Sequence, residues 1–284
     1  MKGIIALDID GTLTTDLHQI PNEVTSYLEH LESEGWKICL ITGRAYSLAS
    51  SAVEELPFPF LLAIHNGALI VEMPEKTILK KYYLERNILP VMEEICAGHP
   101  TDYVIYSGME NEDHCYYRPH RFEDELLQYV EGRAELCRES WKSVESYENL
   151  AFEGFSAVKC FGTIESLGQI TETVEQRLQV HFPIIRDPLG EEMYIAQATH
   201  GDVSKGQAIA EVKSILGNEG PVIAAGDDNN DVPLLKAADF KIAMSGAPEH
   251  LTELADLVAP SAQELGIIPA LEQAIERMTR HGSV

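Results

Sequence analysis

The sequence predicts an α/β fold: a Rossmann-like, three-layer core built on a parallel sheet, with a smaller α+β unit inserted into it. Three observations lead there. Short apolar runs alternate with amphipathic helical segments in the first third of the chain, and the same alternation returns in the last third. Between them, roughly from 84 to 198, the texture changes to Tyr- and His-rich stretches such as DHCYYRPH at 113–120 and to longer polar helices around 122–138 and 164–178.

GIIAL at 3–7 is apolar throughout and ends on Asp8, as a strand buried on both faces does. Val24, Tyr27, Leu28 and Leu31 then recur at helical spacing between Pro21 and Glu34, and Gly35 follows as a C-terminal cap. KICLIT at 37–42 is a second strand, 45–56 a helix stopped by Pro57, and FLLAI at 60–64 a third strand. Later, Ser204 is suited to cap a helix running to Leu216, and PVIAA at 221–225 is a buried strand ending at Gly226-Asp227. DVPLLKAA, FKIAM, PEHLTELA, DLVAP and a helix near 263–279 carry the alternation on. The core is thus expected over 1–83 and 199–284 and the inserted unit over 84–198, with two chain crossings that would form hinges over a cleft.

Composition narrows the partners. A chain of 284 residues with 21 basic and 46 acidic residues carries a formal net charge of −25, which argues against nucleic acid or an anionic membrane as its partner. An acidic protein that binds an anionic substrate needs a local positive field, from a metal ion or from placed Lys and Arg. The five cysteines show neither a CxxC pair nor zinc spacing and read as reduced thiols. No signal segment or membrane span is evident, so a cytoplasmic location is expected. The sequence sets no oligomeric state.

Ligand groups in open parallel sheets lie just beyond the C-terminal strand ends. Four such places stand out: Asp8-Ile9-Asp10-Gly11-Thr12, Thr42-Gly43-Arg44, Ser204-Lys205-Gly206, and Gly226-Asp227-Asp228-Asn229-Asn230-Asp231. Gly11 lets the chain turn and bring Asp8 and Asp10 to one cleft, although DxDG alone also reads as a turn with two surface acids. Asp8, Asp10 and Asp227 together would give an oxygen-rich site suited to Mg²⁺. The Thr42 hydroxyl and the amides near Gly43 suit phosphate oxygens. Alone, LITGR reads as a strand-to-helix turn with an exposed Arg, and Lys205 as a solvated first-turn lysine. A calcium loop starting at Asp227 is excluded, because its sixth and twelfth positions are Val232 and Ala238 instead of Gly and Glu. There is no GxxxxGK[ST] phosphate loop.

As a set and in this order, DIDGT at 8–12, Thr42 in LITGR, Lys205 in VSKG and GDDNND at 226–231 resemble the four motifs of haloacid dehalogenase-superfamily phosphatases. An insertion between the second and third motifs, preceded by HNGA at 65–68, is similar to the Cof-type branch with a C2B cap.

The resemblance implies roles. Asp8 would be the nucleophile and Asp10 the acid and base, with Thr42 and Lys205 completing the catalytic set. Mg²⁺ would sit on Asp8, Asp227 and the Asp10 carbonyl, with Asp231 in support. Thr42, Gly43, Arg44, Asn66, Lys205 and Asn230 would hold a small phosphorylated metabolite, and Asp228 is as readily a solvated loop acid. Arg118, His120 and Arg121, with Arg186, form basic positions that suit either a distal anionic group or a solvated face. His65, His99, His181 and His200 lack partner spacing and read as structural or surface histidines. Gln197-Ala198 stands where many Cof-type relatives have Glu-Ile, so their substrate contacts do not carry over there. The leading expectation is hydrolysis of a small phosphate monoester. A phosphomutase resembling phosphomannomutases, which share the DxDGTLT start, and a silent metal-binding regulator are the alternatives.

Overall fold

The computed structural model describes residues 1–280 other than 179, 181, 188, 190, 191, 218 and 219, so His181 lies outside the described residues. The chain opens with β1 (Gly3–Leu7), α1 (Asn22–Ser33), β2 (Trp36–Ile41), α2 (Tyr46–Val53) and β3 (Phe60–Ile64). β1 pairs in parallel with β2, and β2 with β3. The chain then reverses. His65, Asn66 and Gly67 all have positive φ, and they turn β4 (Leu69–Met73) back along β3; β5 (Thr77–Lys81) continues the antiparallel edge. The sequence reading of a parallel-sheet core did not include this hairpin, because an apolar run four residues after β3 does not disclose the positive-φ turn between them.

The middle of the chain holds β6 (Leu84–Glu85), α3 (Leu89–Cys96), β7 (Tyr103–Tyr106), β8 (His114–Tyr117), α4 (Asp124–Leu136), β9 (Ser140–Ser143), β10 (Gly154–Phe155), β11 (Ala157–Gly162), α5 (Ile164–Arg177), β12 (Ile184–Arg186) and β13 (Tyr194–Ala198). Six strands form one sheet in the order β12-β13-β11-β7-β8-β9, mostly antiparallel, while β10 pairs with β6. α3 and α5 pack with Ile105, Val158 and Cys160 on one face, and Val130 of α4 packs with Val104, Tyr106 and Phe161 on the other. Inside this unit the Arg118 guanidinium forks onto Asp102 at 2.7 and 2.8 Å, reaches Glu93 at 2.5 Å, and stacks on Tyr147. Arg121 lies 3.4 Å from Glu93, and His120 lies 4.0 Å from the exposed Glu145.

The return segment supplies α6 (Lys205–Leu216), β14 (Val222–Gly226), α7 (Val232–Lys236), β15 (Phe240–Met244), α8 (Glu249–Leu254), β16 (Leu257–Ala259) and α9 (Ile267–Arg280). β14 pairs in parallel with β1, which places the late strands beside the first in the order β16-β15-β14-β1-β2-β3-β4-β5. α6, α7 and α8 cover one face through Ile209, Leu235 and Leu251, while α1 and α9 pack on strands from the other, giving three layers. The chain divides into two compact units: Met1–Arg44 with Ala49–Lys81 and Ser204–Val284, and Tyr82–Val203 with Ala45–Leu48.

Ile223 is fully buried in β14, next to the central strand. Ile223→Ala should therefore destabilise the fold by about 2–5 kcal/mol. Urea unfolding would show this as a lower midpoint at unchanged slope; a loss under about 1 kcal/mol would mean that the strand carries less of the core than its burial indicates.

Candidate active site

β1 and β14 lie side by side and in parallel, so their C-terminal ends, Asp8 and Asp227, emerge together. Gly11 then decides how closely the two loops approach. Its φ is +69°, and a Cβ there would meet an Asp227 carboxylate oxygen at 2.0 Å. The turn that follows is closed by Gly11 N–H donating to the Thr14 carbonyl at 2.9 Å.

Ser204 caps α6 by accepting from the Gln207 amide at 3.1 Å, which starts the helix at Lys205 and aims its side chain inward. The ammonium, almost wholly buried, donates to both Asp8 and Asp231, the latter at 2.6 Å. Lys205 is therefore not a solvated lysine. Burial would lower its pKa, but Asp231 and Asp8 outweigh that and hold it well above the usual range, so it stays charged. Asp231 is occupied on both oxygens: one takes Lys205, and the other accepts the Asp227 and Asp228 amides at 2.9 and 3.1 Å. Asp228 caps the short turn through its Asn229 contacts, a structural use of that acid.

Thr42, the residue just after β2, is fully buried. Its hydroxyl oxygen accepts from the Arg44 amide at 3.1 Å, which leaves the hydroxyl hydrogen to donate elsewhere. Its carbonyl accepts from the Asn66 amide at 2.8 Å, and the Asn66 side-chain oxygen accepts from Asn230 at 3.3 Å. Arg44, expected as an exposed or substrate-facing residue, is instead buried with its guanidinium on the Asp10 carboxylate at 2.6 and 2.8 Å. The structure thus gathers Asp8, Asp227, Asp231 and Lys205, links Thr42 to Asn66 and Asn66 to Asn230, and pairs Arg44 with Asp10. Sequence reading missed the buried Thr12 hydroxyl, which has no hydrogen-bond partner among the described residues, although it stands in the same DIDGT segment.

Oxygen atoms of Asp8, Asp227 and Asp231 all lie within 4.8 Å of one another. Burial pushes the Asp8 carboxyl up to about 7, Lys205 opposing and Asp231 and Asp10 adding to it. Asp227 goes further, to about 9, through burial and the nearby Asp8 and Asp231 charges. Three crowded carboxylates offering only hard oxygen donors, with one ammonium among them, fit a small divalent cation.

The haloacid dehalogenase-like hydrolase family model matches residues 5–271. The chain belongs to this family. YxeH of Bacillus subtilis, provisionally named a phosphatase, is 23% identical over 97% of this chain and 99% of its own. A Bacillus subtilis protein named 5-amino-6-(5-phospho-D-ribitylamino)uracil phosphatase, YwtE, is 24% identical over 95% of this chain and 97% of its own. Among solved structures, a haloacid dehalogenase-like hydrolase from Bacteroides thetaiotaomicron aligns at a TM-score of 0.77 and 21% identity, covering 96% of this chain and 100% of its own. A structure described as a sugar phosphatase of subclass IIB aligns at 0.74 and 21%, covering 99% of both. This haloacid dehalogenase-like hydrolase has a mostly parallel central sheet flanked by helices and a buried acidic cluster compatible with metal binding. No helix among its described residues is long and apolar enough to cross a membrane.

Two outcomes follow from the carboxylate geometry. A carboxyl whose folded pKa lies above its unfolded one holds extra protons in the fold, so that stability is present at low pH and lost as pH rises through the folded value. The metal-free hydrolase should lose thermal stability as pH rises through about 7 and about 9. Asp227→Asn should flatten the upper part of that loss, and Mg²⁺ should raise the Tm more at about pH 8 than at about pH 6. Scanning calorimetry across pH tests both, and a Tm that rose over this range without metal would contradict the assignment. Separately, Gly11→Ala should abolish the Mg²⁺-dependent Tm rise, since its Cβ would displace the Asp227 carboxylate; an unchanged rise would show that the loop yields without moving the ligand.

Proposed function

We propose that this hydrolase is a Mg²⁺-dependent phosphatase that cleaves a small phosphate monoester, a sugar phosphate or related metabolite, through an aspartyl-phosphate on Asp8. The observation that carries the reading is the placement of Asp8 beside the buried Lys205 ammonium, whose charge Asp8 and Asp231 favour, and within reach of Asp227. The relatives named as phosphatases and the subclass IIB sugar phosphatase structure support the reaction and the substrate class.

In this reading the Asp8 oxygen bonds to phosphorus as the bond from phosphorus to the ester oxygen breaks, and Asp10 gives that oxygen its proton. Water then attacks the aspartyl-phosphate, Asp10 takes the proton, and Asp8 is regenerated with release of phosphate. Lys205 and the Thr42 hydroxyl hold phosphoryl oxygens where charge accumulates, and Asn230, steadied by Asn66, borders the same oxygens. Asp8, Asp227 and the Asp10 carbonyl would hold Mg²⁺, with Asp231 fixing Lys205 and the Asp227 loop; bound there, the ion offsets the carboxylate and phosphate charges. Residues 84–198 would act as the cap that selects the leaving group.

Purified protein with Mg²⁺ should release phosphate from p-nitrophenyl phosphate and from members of a sugar-phosphate panel. Asp8→Asn should lower kcat by at least about 10³-fold, and EDTA should abolish turnover until Mg²⁺ is restored. Phosphate release by Asp8→Asn at the wild-type rate would sink the nucleophile assignment.

A further inference from the structure

The Arg44 side chain is bonded to Asp10 and to the Leu17 carbonyl. Nε and Nη2 each take one oxygen of Asp10, at 2.8 and 2.6 Å, and Nη1 takes the Leu17 carbonyl at 2.6 Å. A planar guanidinium held at three corners cannot rotate, and a fork on both carboxylate oxygens fixes the plane of the acid as well as its place. The backbone of Arg44 is tied too: its amide donates to the Thr42 hydroxyl at 3.1 Å and its carbonyl accepts from the His65 amide at 3.0 Å. The Arg44 side chain is 3% exposed and the Asp10 side chain 40%, so the pair is anchored on the Arg side and open on the Asp side.

We propose that Arg44 is a positioning residue for proton transfer by Asp10 and not a ligand of the phosphate group. This rests on the reading of Asp10 as acid and base given above. Asp10 immediately precedes the turn made by Gly11 and makes an isolated bridge with Thr14, so its backbone alone leaves several side-chain rotamers open. Arg44 selects one. Its bond to Leu17 fixes the loop after the first motif at the same time, and its amide orients the Thr42 hydroxyl, so one residue sets the geometry of proton delivery.

The chemistry separates this role from substrate binding. A sugar alkoxide needs a proton to depart, whereas p-nitrophenolate leaves without one, so an ill-placed Asp10 slows the first ester far more than the second. With Mg²⁺ present, Arg44→Gln should lower kcat for a hexose 6-phosphate by about 10²-fold, with KM within about threefold, and for p-nitrophenyl phosphate by under about tenfold. In an Asp10→Asn background it should add less than about twofold. Arg44→Lys keeps the charge without the fork and should recover only part of the loss; it carries the same test if Arg44→Gln does not fold. Calorimetric titration with inorganic phosphate should give Kd values within about twofold of each other for wild type and Arg44→Gln. A Kd raised about tenfold or more, equal losses on both esters, or additive effects with Asp10→Asn would overturn the proposal. If wild type releases phosphate from no ester, the phosphatase reading fails, and the phosphate titration still decides whether Arg44 is a ligand.

Discussion

Burying Asp8, Asp227 and Asp231 within one small volume of a chain of net charge −25 is unfavourable unless cations share that volume, and Lys205 is a cation that the fold itself supplies. The ammonium sits on Asp8 and Asp231, and Asp231 in turn accepts the amides that begin the Asp227 loop. The position of Asp227 thus depends on Lys205 through one intervening carboxylate. Lys205 depends on the start of α6, where Ser204 caps the helix and Gly206 packs against the Pro233 carbonyl, too close for a side chain.

Burial, with the neighbouring carboxylate charges adding to it, raises the pKa values of Asp8 and Asp227, and one ammonium does not offset this. Ionising these acids in the fold costs stability, which a divalent cation bound among them would offset. Asp10 belongs to a different balance, since the Arg44 fork holds it to one side. Asp8, crowded by carboxylates, and Asp10, held by a guanidinium, thus sit two residues apart in different electrostatic surroundings.

Parts of this were legible in the sequence. GIIAL, KICLIT and PVIAA announce buried strands, and the polar residues that end them are the ones found at the sheet's C-terminal edge. Ser204 is recognisable as a cap by its place before an amphipathic run. The β3–β4 hairpin was not legible, because it depends on three successive positive-φ residues, His65, Asn66 and Gly67, and the tendency of Asn-Gly to turn does not by itself tell a chain reversal from a strand-to-helix loop. Nor was the burial of Arg44 and Arg118, since a guanidinium is read as exposed until its carboxylate partner, 34 residues away for Arg44 and 16 for Arg118, is known.

The sequence by itself determined the α/β alternation and the order of the acidic, hydroxyl and ammonium groups along the chain, because hydrophobic period and turn residues act over a few positions. Only the tertiary structure decided which groups meet. Asp10 faces a cation because β2 lies beside β1, and Asp231 holds Lys205 because the Asp227 loop and α7 pack on α6. How near Asp227 lies to Gly11 follows from the register of β14 beside β1, segments some 200 residues apart, and from the φ angle at Gly11, and no local pattern encodes such packing.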